Sequence, residues 1–179
     1  LYIHGSEEVT MRTLLAAREE ILRRLDAAGY IDRRYPLLDA IPSAEVKDGF
    51  VPELATENEP LEKVIFHGPM ISFYERFLAG PVRHFDFVWL RAKRPGITDA
   101  TPPHYDVVFM GRGTKRLYTS WTPLEDRVNG GKFADDALVV REQLGGRWLT
   151  ADFRAGDVLL FGMYLMPTSL SPSRWTSAE

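Results

Sequence analysis

A chain of 179 residues is the length of one domain, and 45% hydrophobic with 12% aromatic residues supplies the apolar material for one core. A formal net charge of −3, with no stripe of Lys and Arg, argues against a nucleic-acid partner, which would need such a stripe along the phosphate backbone. Cysteine is absent, so disulfides, thiolate zinc sites and cysteine nucleophiles are excluded, and any metal must be held by His, Asp or Glu.

In chain order, residues 6–28 place Val9, Leu14, Ala17, Ile21, Leu22 and Leu25 at helical spacing, and Gly29 ends the run. Glu19 and Glu20 face Arg23 and Arg24 four residues on, so the charge run 18–24 reads as the solvated face of this helix. Residues 33–58, rich in Pro, Asp and Ala without a period, read as a long irregular connection. A second helix is predicted over 61–78, interrupted at Gly68-Pro69 and stopped by Gly80-Pro81, with His67 a structural residue beside the break.

From Val82 the texture changes to short β-type runs over 82–92, 105–110, 116–122, 147–153 and 157–166, with a short helix over 137–144 and a turn over 154–157. No apolar run is long enough for a membrane span and no secretory signal opens the chain, so a membrane partner is not expected and a cytoplasmic location is. Leu1 in place of Met points to a longer natural chain. Helices followed by five or more short strands predict an α+β fold with a sandwich or barrel core, as one domain over 1–179 with helices over 1–80 and strands over 82–170.

The chemistry concentrates at Thr101-Pro102-Pro103-His104-Tyr105-Asp106, after a loop rich in Pro and Gly. On a strand, residues i and i+2 point to the same side, so the His104 imidazole and the Asp106 carboxylate converge. Fe(II) suits such a nitrogen and oxygen pair and keeps open positions for dioxygen and a co-substrate, provided a second imidazole arrives from elsewhere. His84-Phe85-Asp86 repeats the spacing without the Pro-rich approach, and the loop 110–115 reads as a tight loop more readily than as an anion cradle.

Three blocks in this order, Pro103 to Asp106, Leu117 to Leu124 and Ala155 to Phe161, resemble the phytanoyl-CoA dioxygenase family of non-haem Fe(II), 2-oxoglutarate-dependent dioxygenases. The resemblance covers about 82–169, roughly half the chain. It implies a double-stranded β-helix, or jelly-roll, core with N-terminal helices packed on it. It also implies iron and metal binding, and an oxidoreductase that uses Fe(II), 2-oxoglutarate and O2 to hydroxylate a small-molecule substrate, releasing succinate and CO2. By position, His104 and Asp106 resemble the catalytic iron ligands, and Trp89, Tyr105, Trp121 and Ser169 resemble residues lining the 2-oxoglutarate site. As plain core residues of a β-sandwich, Trp89 and Trp121 need no ligand.

The pattern is broken in three places. Pro167 stands where the family has its distal histidine. Arg174, the only later arginine, has no strand around it to match the family's 2-oxoglutarate arginine, and the strands expected after Asn129-Gly130-Gly131 are missing. Two explanations compete: a degenerate relative that binds a small molecule or partner without iron, or a sequence that omits segments of a longer chain between 125 and 131 and between 166 and 174.

Overall fold

The computed structural model describes residues 2–3, 8–45, 49–93, 100–125, 132–133 and 135–171. The chain divides into two compact units, 5–92 and 93–179, the second joined by 1–4. The boundary between the helical and the strand-bearing unit thus falls at Ala92-Lys93, about a dozen residues beyond the predicted change of texture. Helices and antiparallel sheets together make the protein α+β. Among the described residues no helix is long and apolar enough to cross a membrane.

The unit 5–92 is built on α1 (Glu8–Ala27), α2 (Glu59–Ile65) and α3 (Gly68–Leu78). The predicted stripe is the core: Leu14, Ala17, Ile21, Leu22 and Leu25 are buried, together with Val51, Ala55 and Leu61. Gly29, at φ 82°, closes α1 as expected. Its amide reaches Asp26 O and the Tyr30 amide reaches Leu25 O, a double closure that needs a left-handed residue between them. Arg23 pairs with Glu19 and Arg24 with Glu20, four residues apart.

Arg24 is more than a solvated charge. Its guanidinium also donates to the carbonyls of Leu54, Thr56 and Glu57 and so ties down the connection ahead of α2. That connection, predicted to be irregular, contains two short 3-10 helices, Leu37–Asp39 and Pro52–Ala55. Asn58, fully buried, caps α2 by accepting from the Leu61 amide. The predicted second helix is two, α2 and α3, parted at Phe66-His67, with His67 exposed at the N-cap of α3.

The expected strand over 82–92 forms no ladder. Among the described residues only the bridge between Phe50 and Arg91 pairs it, because no neighbouring strand offers a second row of donors and acceptors.

In the other unit, β4 (Val158–Gly162) is the central strand, flanked antiparallel by β1 (Tyr2–Ile3) and β2 (Tyr118–Trp121). Trp121 opposes Leu159, and Thr119 opposes Phe161. A second sheet pairs β3 (Lys132–Phe133) with β5 (Leu170–Ser171). The helices are α4 (Val107–Met110) and α5 (Asp135–Leu144), the latter close to its predicted extent. The turn before β4 forms as expected, with the Asp157 amide on Arg154 O and Gly156 at φ 85°. The run 147–153 forms no named strand; Leu149 is almost fully exposed, so its β propensity has no apolar surface to pack against.

The run 105–110 is a correction of more consequence. Expected as a strand, it is a turn into α4. Asp106 and Met110 are buried while Val108 and Phe109 are exposed, a spacing of four that a helix satisfies and a strand does not. Gly111 is required at the exit, because a Cβ there would collide with the Val107 carbonyl oxygen.

Candidate metal centre

The segment 101–107 is fastened along the run that follows β4. The Val107 amide donates to Met163 O at 3.1 Å, the His104 amide to Pro167 O at 3.3 Å, and the Ser169 amide to Thr101 O at 3.1 Å. Pro102 and Pro103 have no amide hydrogen, so the pairing can use only the donors on either side of them. These bonds bring His104 and Asp106 beside β2.

There the two side chains converge as expected, with Nε2 of His104 3.2 Å from Oδ1 of Asp106. The route differs from strand alternation. His104 precedes the turn, and Asp106 stands in the right-handed helical region at φ −59°, ψ −28°, so the bend of the chain, not a pleat, aims both groups at one point. Each is held from behind. Nδ1 of His104 lies 2.8 Å from Pro102 O, and because a carbonyl only accepts, Nδ1 carries the proton. The Thr119 hydroxyl donates to Oδ2 of Asp106, leaving Oδ1 to face the imidazole. Phe109 lies edge-on to the His104 ring at 6.1 Å.

This arrangement asks for a positive charge. With Nδ1 donating to Pro102 O, Nε2 of His104 and Oδ1 of Asp106 face each other at 3.2 Å, an ion-pair contact when Nε2 carries a proton and a pair of donors to a cation when it does not. Two acceptors that close repel unless a cation or a proton is shared between them. A metal fits. Two donors at right angles with bonds of about 2.1 Å stand about 3 Å apart, near the separation found. An imidazole whose far nitrogen donates to a carbonyl, beside a carboxylate whose far oxygen is hydrogen-bonded, is also the usual outer support of metal ligands.

Thr119 was not singled out from sequence as a site residue. The available signal was its place two residues before Trp121 on a predicted strand, which puts both on one face. Trp121 lies on β2 as expected, but it flanks no strand bearing His104, since that segment is a turn. Its half-exposed ring meets Phe153 edge-on at 5.0 Å. Tyr105 is also half-exposed. Ser169 lies beside Thr101, its hydroxyl oxygen accepting from the Thr101 amide at 2.7 Å and from Nζ of Lys93 at 2.6 Å. Trp89 belongs to the unit 5–92, where it packs with Phe85 and Phe87.

The position expected of a distal histidine is Pro167, and its carbonyl is bonded to the His104 amide. No group of three His, Asp or Glu side chains able to hold a metal occurs among the described residues. Arg174 lies outside the described residues, as do 126–131, in the first window where an omission was expected, and 172–174, in the second. Comparison with models of protein families, with curated proteins and with solved structures finds no match to this chain.

Proposed function

We propose that the chain carries a portion of the iron site of an Fe(II)- and 2-oxoglutarate-dependent dioxygenase of the phytanoyl-CoA dioxygenase type, acting on a small organic substrate. The single observation that carries this reading is the convergence of Nε2 of His104 and Oδ1 of Asp106, 3.2 Å apart with their far atoms tied to Pro102 and Thr119. On this reading β4 with its neighbours β1 and β2 is a piece of a jelly-roll wall, and the site lies at the strand ends.

Bound iron would supply activation of dioxygen with oxidative decarboxylation of 2-oxoglutarate to succinate and CO2, leading to hydroxylation of the substrate. His104 and Asp106 would hold the metal. Pro102 keeps His104 in the tautomer that can ligate, and Thr119 keeps the carboxylate from rotating out of line. Trp121, on the face of β2 that carries Thr119, would wall the space in front of the pair and exclude water from it.

The decisive measurement is formation of succinate from 2-oxoglutarate, dependent on Fe(II) and O2, with Asp106→Ala as the inactive reference. A protein that neither binds Fe(II) nor turns over 2-oxoglutarate refutes the reading.

A second reading, a relative that binds a small molecule or partner without iron, is favoured by one observation: among the described residues no third His, Asp or Glu joins His104 and Asp106. Metal titration separates the two: Fe(II) uptake that Asp106→Ala abolishes supports the first, and small-molecule binding with no metal uptake supports the second.

A further inference from the structure

Two apolar segments of the unit 93–179 come to the surface side by side. The Val107 amide donates to Met163 O at 3.1 Å, which joins the start of α4 to the turn that follows β4. Each segment turns a methionine inward, Met110 from α4 and Met163 from the turn, and both are buried. Their neighbours are left outside: Val108, Phe109, Tyr164 and Leu165 are each more than half exposed. Since an aromatic side chain carries about 150–250 Å² of surface, the four together offer roughly 400 Å², the size of the largest apolar patch on a typical monomer.

The charge around this patch has one sign. α4 runs directly into the exposed loop 111–116, which carries Arg112, Lys115 and Arg116, and neither 107–124 nor 158–171 contains an Asp or Glu. Asp106, the carboxylate next in sequence, is buried and takes the Thr119 hydroxyl. In a chain of net charge −3 such a surface is a local exception. Among the described residues the side chains of Arg112 and Lys115 have no hydrogen-bond or ion-pair partner. Both stand within about 20 Å of Phe109, the reach of six extended residues.

Apolar side chains standing out beside unpaired cations suit an anionic bilayer, where the former enter the acyl boundary and the latter meet lipid phosphates and carboxylates. Such contact needs no membrane span. A second copy of the chain fits less well. The patch is about half the ~800 Å² that each partner of a stable protein interface buries, and a symmetric contact would set the cations against their own copies.

We propose that Val108, Phe109, Tyr164 and Leu165, with Arg112 and Lys115, form a docking face for an anionic phospholipid surface. Phe109 lies edge-on to the His104 ring at 6.1 Å, so docking brings the His104 and Asp106 pair close to the headgroups. The face itself does not rest on a metal at that pair.

The test is flotation of the whole chain with vesicles of phosphatidylcholine alone and of phosphatidylcholine mixed two to one with phosphatidylserine. Wild type should bind the anionic vesicles, bind the neutral ones about tenfold more weakly, and be released by salt. Arg112→Gln with Lys115→Gln should weaken binding by about tenfold or more, at roughly fivefold for each cation. Val108→Gln with Leu165→Gln should weaken it by about tenfold or more on both kinds of vesicle. Leu149→Gln, at an almost fully exposed leucine outside the two segments, should change nothing. Circular dichroism should show the native fold in all three.

A wild type that leaves the anionic vesicles behind overturns the proposal, and its sedimentation as a dimer would place a second copy on the face instead. Equal loss in Leu149→Gln overturns it too, because binding would then follow exposed hydrophobicity at large. Should Val108→Gln with Leu165→Gln fail to fold, unchanged binding in Arg112→Gln with Lys115→Gln overturns it equally.

Discussion

The chain contains the same tripeptide spacing twice, and the two copies differ in what surrounds them. His84 and Asp86 lie 3.6 Å apart with side chains 43% and 85% exposed, whereas His104 and Asp106 lie 3.2 Å apart at 28% and 10%. In the first copy the imidazole stacks on Phe66 at 3.8 Å and its Nδ1 faces both Phe85 O and the carboxylate, so Asp86 meets the proton side of the ring or water. In the second, Nδ1 donates to Pro102 O and the Thr119 hydroxyl engages the far carboxylate oxygen, so Nε2 and Oδ1 are left facing each other. Proximity of His and Asp therefore comes readily at this spacing. What sets the second copy apart is that each residue's other polar atom is engaged elsewhere, as is usual for metal ligands and as the proposed reading needs.

The sharpest way to break the comparison is to remove each carboxylate in turn. Asp106→Ala should lower affinity for Fe(II), or Mn(II) as its surrogate, by about a hundredfold or more with the circular dichroism spectrum retained, while Asp86→Ala should leave metal affinity unchanged. Equal effects at the two sites would erase the distinction drawn between them.

Removing the support should have a smaller effect than removing Asp106 itself. Thr119→Val takes away the hydroxyl that holds Oδ2 of Asp106 but keeps the β-branched shape, and metal affinity should fall by about tenfold to a hundredfold. Thr119→Ser should restore most of it. If both variants bind metal like wild type, Asp106 is held by packing alone.

The bend that aims Asp106 can be tested through stability. Gly111→Ala places a Cβ against the Val107 carbonyl at the exit of α4, and chemical denaturation should show a loss of about 1–3 kcal/mol. Metal affinity should drop in parallel, because Asp106 begins the same turn. The smallest effect belongs to the exposed pair. His84→Ala loses one ring stack on Phe66 and should destabilise by about 0.5–1 kcal/mol, with no change in metal binding.

Sequence was most informative where a residue's fate depends on its near neighbours. The buried stripe Leu14, Ala17, Ile21, Leu22 and Leu25 followed from a 3.6-residue period, and the left-handed closure at Gly29 from the one residue type that adopts it freely. The turn at Arg154 to Asp157 was legible for the same reason, whereas the approach of His104 to Asp106 was expected from strand alternation and comes about by a bend instead. Strands were another matter. The β-type runs 82–92 and 147–153 resemble the run that became β4, yet only the last found partners on both edges. A ladder is a property of two segments, and no one segment encodes the presence of the other.

The same limit separates the His104 and Asp106 pair from its setting. The local sequence supplied an imidazole and a carboxylate two residues apart, but the strand expected to bring them together is a turn. Only the tertiary structure decided that Thr119, thirteen residues away, would hold the far oxygen of Asp106, that Pro167 would stand beside His104, and that Lys93 would reach Ser169 across seventy-six positions. Those contacts carry no period and no local spacing. They exist because the run after β4 lies along 101–107 and β2 lies beside β4, so side chains distant in the chain share one small volume.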